Sequence, residues 1–136
     1  MGRLNEEVEL EPGVVRKYRR HDDGRGFVSP RASAASTAHI GESTYVEAEA
    51  QIGEHAWIGN GSWIDRGVRV GAHAWIGNNV HIGADSVIGV GARIGSNARI
   101  GREVRVEQRA SIAPDQAVAD AARVAAAPRD HLQRAA

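Results

Sequence analysis

Apolar positions in this chain follow neither the strand period of two nor the helix period of 3.6. They recur every sixth residue. All ten isoleucines (40, 52, 58, 64, 76, 82, 88, 94, 100 and 112) share one register, and Val46, Val70 and Val106 fill its three gaps. Ten residues falling in one register of six by chance is an event of about one in ten million, so the repeat is real. Two positions before each aliphatic runs a second column, from Ala38 and Thr44 to Val104 and Ala110, in which every member is small or β-branched. Within a strand, residues two apart share a face, so both columns point into one narrow interior. The pattern therefore predicts very short strands separated by a corner every six residues. Glycine follows the aliphatic at 41, 53, 59, 71, 77, 83, 89, 95 and 101, where the backbone is expected to bend. The slots beyond it hold Asn60–Gly61, Asn78–Asn79, Ala84–Asp85 and Ser96–Asn97, residues that accept turn and left-handed conformations.

The run IGEHAW IGNGSW IDRGVR VGAHAW IGNNVH IGADSV IGVGAR IGSNAR IGREVR, from Ile52 to Arg105, resembles the hexapeptide-repeat family at nearly every slot. That resemblance implies an all-β fold, a left-handed parallel β-helix with three hexads per coil and about five coils, packed as a homotrimer. The handedness is implied by the family alone, because the general preference for crossovers is right-handed. The register extends back through Val28 and Ala34 and forward through Val118 and Val124, which places the solenoid at 27–126. Residues 1–26 are charged and read as an N-terminal cap, partly disordered, with a turn signal at Asp22-Asp23-Gly24-Arg25-Gly26 that predicts a short hairpin between the run Val14–His21 and Phe27-Val28. Residues 127–136 read as a tail or short helix.

With 18 residues per coil, residues 18 apart stack about 4.8 Å apart along the rod. The position before each aliphatic points outward. One face then carries His39, Trp57, Trp75, Arg93 and Ser111; a second carries Tyr45, Trp63, His81 and Arg99; the third carries Gln51, Arg69, Val87 and Arg105. All three tryptophans thus lie outside, and exposed aromatic ladders mark an interface, for which trimer packing is the plain reading and a substrate platform the other. Net charge is zero, so no general affinity for nucleic acid or membrane is indicated. No cysteine is present, in keeping with a reducing cytoplasm. The N-terminus shows no apolar leader or span, and Glu6 stands where a myristoylation signal needs Ser or Thr.

Candidate chemistry lies in the outward columns. His55 and His73 stack at one corner, while His81 shares a face with Asp65 and Glu47. An outward histidine near a carboxylate is what a general base needs, because the carboxylate orients the ring and supports the imidazolium. Arg93, Arg99 and Arg105 occupy the outward slots of one coil, suited to phosphates or an acidic carrier protein.

Three readings follow. The resemblance implies an acyltransferase in which His73 or His81, with Asp65, deprotonates a hydroxyl or amine at a cleft between subunits. Trp57, Trp63, Trp75 and the three arginines would contact the substrates. The donor would be acyl-CoA or an acyl-carrier protein, with no permanently bound cofactor. Against it, no subfamily's catalytic motif matches and no loop interrupts the coils. The second reading is a non-catalytic trimeric β-helix, a scaffold or structural module. The third is a metalloenzyme resembling the gamma-class carbonic anhydrases, with His55, His73 and His81 as donors, although their spacing departs from that family's.

Overall fold

A computed structural model describes residues 5–11 and 14–127; the expected C-terminal tail lies, from residue 128 onward, outside the described residues. Two seven-residue strands, β1 (Asn5–Glu11) and β2 (Val14–Arg20), precede seventeen two-residue strands. The latter recur every six residues, from β3 (Phe27–Val28) to β19 (Arg123–Val124), making five complete turns and two further strands. Each pairs in parallel with the strand 18 residues away, as in Trp57↔Trp75 and Trp63↔His81, and the pairs form three sheets of a parallel β-helix. We name the faces by their first outward residues: the Phe27, Ser33 and His39 faces. The expected outward columns occupy them in the expected register. Among the described residues no helix is long and apolar enough to cross a membrane.

The whole aliphatic column from Ile40 to Ile112 is buried, and the small column beside it is buried with it. Three hydroxyls in that column are tolerated because each is satisfied twice. Ser62 Oγ donates to Gly77 O at 2.9 Å and accepts from Val80 N at 3.1 Å. Ser86 does the same between Gly101 O and Val104 N, and Thr44 between Gly59 O and Ser62 N. A buried hydroxyl bonded on both sides escapes the penalty of an unpaired polar group.

The corners refine one expectation. The glycines that follow the aliphatics open the turns, as where Gly53 O accepts from Ala56 N, but none of them has positive φ, so the bend does not draw on glycine's conformational freedom. The left-handed residue is two positions later, and the slot is left-handed at every corner from Glu49 to Ala121, with φ between 57° and 72°. Gly61, Asn79, Asp85 and Asn97 fill it as expected, but so do His55, His73, Glu103 and Arg109. The glycine column serves close approach instead. A Cβ on Gly71 would lie 2.6 Å from Val90 N, and one on Gly89 would lie 2.5 Å from Gln108 N.

Residues 5–11 and 14–20 form a sheet extension. β1 and β2 pair antiparallel, and β2 pairs antiparallel with β3, so the ribbon continues the Phe27 face beyond the first coil. Tyr18 is buried there, edge-on to Phe27 and Tyr45. His21 is buried too, and because a carbonyl only accepts, its Nε2 donates to Ala38 O at 2.8 Å. Tyr18 Oη donates to Glu47 Oε1 at 2.8 Å, tying the ribbon to the second coil. Tyr18→Phe should therefore cost about 1–2 kcal/mol, read as a lower urea midpoint with an unchanged denaturant slope.

Candidate functional site

Glycine fills the slot after the aliphatic in most coils, and the exceptions are informative. Where that slot is acidic, the carboxylate reaches the outward side chain sixteen residues on, one coil along and one step diagonally. Glu47 Oε2 accepts from Trp63 Nε1 at 3.0 Å. Glu107 accepts from Arg123 Nε at 2.6 Å. Asp65 Oδ2 lies 3.6 Å from His81 Nε2. The remaining oxygen of Asp65 accepts from Arg66 N at 2.8 Å, which fixes the carboxylate at its corner.

His81 is held from two directions. Its ring stacks on Trp63 with centroids 4.4 Å apart and planes 11° from parallel. Its Nε2 is buried without a hydrogen bond, and the 3.6 Å to Asp65 is an ion-pair separation too long for a good hydrogen bond. A proton on Nε2 would face the Asp65 carboxylate and would leave Nδ1 to accept another. Beside the pair opens a shallow groove of about 520 Å³, bounded by His81, Asp65, Arg99, Arg102, Ala117 and Asp120. Arg99 is the next residue of the Phe27 face after His81. After it Ala117, a methyl where earlier coils carry rings, leaves the groove its width. Asp120 is committed to the corner, accepting from Arg102 N at 2.9 Å. Among the described residues neither Arg99 nor Arg102 forms an ion pair.

The other singled-out residues lie elsewhere. His73 is exposed at the corner between the Ser33 and His39 faces, stacked on His55, with no carboxylate bonded to it among the described residues. Arg93, Arg99 and Arg105 stand on three different faces, so within one chain they do not converge on one anion. Arg93 lies over the Trp75 ring at 5.2 Å. Trp57 and Trp75 stack on one another with planes 5° apart, and His39 covers the other side of Trp57. With ring faces taken by neighbours along the rod, this ladder presents edges outward. His55, His73 and His81 do not meet either. Among the described residues no three His, Asp or Glu side chains come together to hold a metal ion, so the carbonic anhydrase-like donor set is not assembled within the chain.

Sequence reasoning missed a second pair. His39 Nδ1 lies 2.9 Å from Asp23 Oδ1, hydrogen-bonded where His81 and Asp65 are only near. Asp23 sits in the cap turn ahead of the repeat, in phase with the slot that holds Glu47 and Asp65, but Asp22 stands where an aliphatic would mark that slot. The separation of sixteen residues, shared with Glu47–Trp63, Asp65–His81 and Glu107–Arg123, is the signal that would have found it.

The model of the GMPPB C-terminal domain family matches residues 23–127, the solenoid with the cap turn before it. A hexapeptide transferase family protein from Anaplasma phagocytophilum superposes with a TM-score of 0.54 at 16% identity, over 74% of this chain and 70% of that one. The acetyltransferase domain of PglB from Neisseria gonorrhoeae, in complex with acetyl coenzyme A, gives 0.44 at 21% identity over 74% and 54%. A perosamine N-acetyltransferase mutant from Caulobacter crescentus, in complex with CoA and GDP-perosamine, gives 0.38 at 20% identity over 74% and 52%. This chain thus spans about half the length of the last two. The likeness to the Anaplasma protein, at 16% identity, is one of fold, the left-handed parallel β-helix. No curated protein matches the sequence.

Proposed function

The chain belongs to the GMPPB C-terminal domain family, and from that premise we propose that it works as a hexapeptide-type acyltransferase, with His81 as general base. The observation that carries this reading is His81 itself: among the described residues its buried Nε2 has no hydrogen bond, and it faces Asp65 at the edge of a groove whose two guanidinium groups form no ion pair. The acceptor hydroxyl or amine would give its proton to Nδ1 as its oxygen or nitrogen attacks the thioester carbonyl of acyl-CoA or an acyl-carrier protein. The tetrahedral oxyanion then collapses, the C–S bond breaks, and the leaving thiolate takes the proton back from the imidazolium. Asp65 stabilises that imidazolium, and Arg99 and Arg102 attract the anionic groups of the donor.

Thiol release from acetyl-CoA in the presence of amine and hydroxyl acceptors tests the proposal. His81→Asn should lower kcat by about 100-fold or more with the donor KM little changed, while Arg99→Ala should mainly raise the donor KM. Absence of thiol release above the buffer rate, together with no thermal shift at millimolar CoA, would remove the acyltransferase reading.

A second reading then stands on a separate observation. Trp57 and Trp63 are 36% and 46% exposed on coils that no loop interrupts, and edge-presenting ladders suit packing against other copies. That reading is a non-catalytic trimeric scaffold. Light scattering that returns three chains per particle would support it, and the acyltransferase reading uses the same trimer.

A further inference from the structure

We infer that the His55–His73 corner is a two-histidine clip for a divalent transition-metal ion, independent of the His81 groove. The two imidazoles stack with centroids 5.0 Å apart and planes 19° from parallel. Both are exposed, and among the described residues neither ring is engaged by a hydrogen bond or an ion pair. Their backbones are fixed in the left-handed region, at φ 59° and 61°. His73 N donates to Glu54 O at 2.9 Å and His55 N to Thr37 Oγ1 at 3.0 Å, so the two side chains leave successive coils from rigid, equivalent positions. The next member of the corner column is Gly91, which puts no side chain over His73.

Two ligands at about 2.1 Å from one ion, in tetrahedral or square arrangement, stand about 3.0–3.4 Å apart. Rings stacked with centroids 5.0 Å apart are too widely spaced to share one ion in that arrangement. Rotation about χ2, a broad torsion for histidine, turns them to converge on one ion. Backbone spacing and rigidity thus supply the pair, and the rings need only pivot. Two neutral nitrogens select imidazole-preferring ions, with Cu2+ above Ni2+ and Zn2+, and water fills the remaining positions. Bound there, the ion would cross-link two coils.

Titration of the full chain with Cu2+ and with Ni2+, followed by calorimetry and by quenching of tryptophan emission, tests the site. Asparagine accepts the left-handed conformation, so His55→Asn and His73→Asn should fold with unchanged circular dichroism. One ion per chain is expected, with Cu2+ the tighter. Electron paramagnetic resonance should show two imidazole nitrogens on the copper. Each single variant should weaken binding by about 30-fold or more, and His81→Asn should leave it unchanged. No binding at 1 mM ion, undiminished affinity in His73→Asn, or a copper spectrum with a single imidazole would each overturn the inference. Because no readout depends on acyl transfer, failure here leaves the His81 proposal untouched, and the reverse.

Discussion

Gly71→Ala should destabilise the protein by about 3 kcal/mol or more, whereas Gly91→Asn should be close to neutral. A Cβ on Gly71 would stand 2.6 Å from Val90 N, 2.9 Å from Gly89 C and 2.9 Å from Val90 Cα. All three are backbone atoms of the next coil, which cannot rotate away like a flexible side chain. The coils would have to separate locally and stretch their ladder bonds, including Gly71 N to Ile88 O at 2.8 Å. Gly91 is different. It holds φ at 69°, but the nearest atom to its Cβ would be Arg109 Cγ at 3.5 Å, an ordinary contact. Asparagine already occupies the equivalent slot at Asn79 and Asn97. Thermal melts of the two variants check the pair, with a drop of about 10 °C for Gly71→Ala and little change for Gly91→Asn. The reverse order would mean that conformational freedom, and not close approach, governs the glycine column.

Ile76→Ala should cost about 3–4 kcal/mol. Ile76 is wholly buried in the middle of the rod, between Ile58 and Ile94 on successive coils. The cavity can close only if neighbouring coils move, and their backbones are pinned by ladder bonds on both sides. Val124→Ala offers the contrast, since Val124 is only partly buried and sits on the last strand, paired on one side. Its loss should be about 1 kcal/mol or less. Urea unfolding curves give both values. In a solenoid each coil contacts only its neighbours, so a central defect weakens two interfaces and a terminal one weakens one. Equal costs at the two sites would show that the described rod is not the cooperative unit.

Much of this molecule was legible in its residues because the repeat is a local rule. Ile40 to Ile112 and the small column beside them are the core, and the outward columns His39–Trp57–Trp75–Arg93 and Tyr45–Trp63–His81–Arg99 lie on the faces assigned to them. The glycines open the turns as their position after each strand suggests, but what demands glycine there is the neighbouring coil, 18 residues away. The hairpin of residues 14–20 with Phe27–Val28 was legible from the turn signal between them, whereas the strand at residues 5–11 was not, because its partner is β2, which has no counterpart in the hexad.

The candidate site was only half legible. Asp65 and His81 were singled out together, but their approach to 3.6 Å depends on a diagonal reach across two coils. His39–Asp23 shows the same diagonal and escaped notice, since one of its members lies outside the repeat. His73 and His81 read alike as outward histidines, and only the assembled corners separate them. His73 has a second imidazole for a neighbour, and His81 has a carboxylate and a groove.

By itself, then, the sequence determined the period, the inward and outward sides of every strand, and the residues that share a face. These follow from alternation along two-residue strands and a fixed 18-residue coil, so no long-range information is needed. Only the tertiary structure decided which glycines are steric and which are conformational, which histidine meets a carboxylate, and where a groove opens. Those outcomes depend on side-chain reach between coils and on the width left by residues such as Ala117. Distances of a few ångströms between residues sixteen or eighteen apart set them, and a periodic pattern carries register without carrying reach.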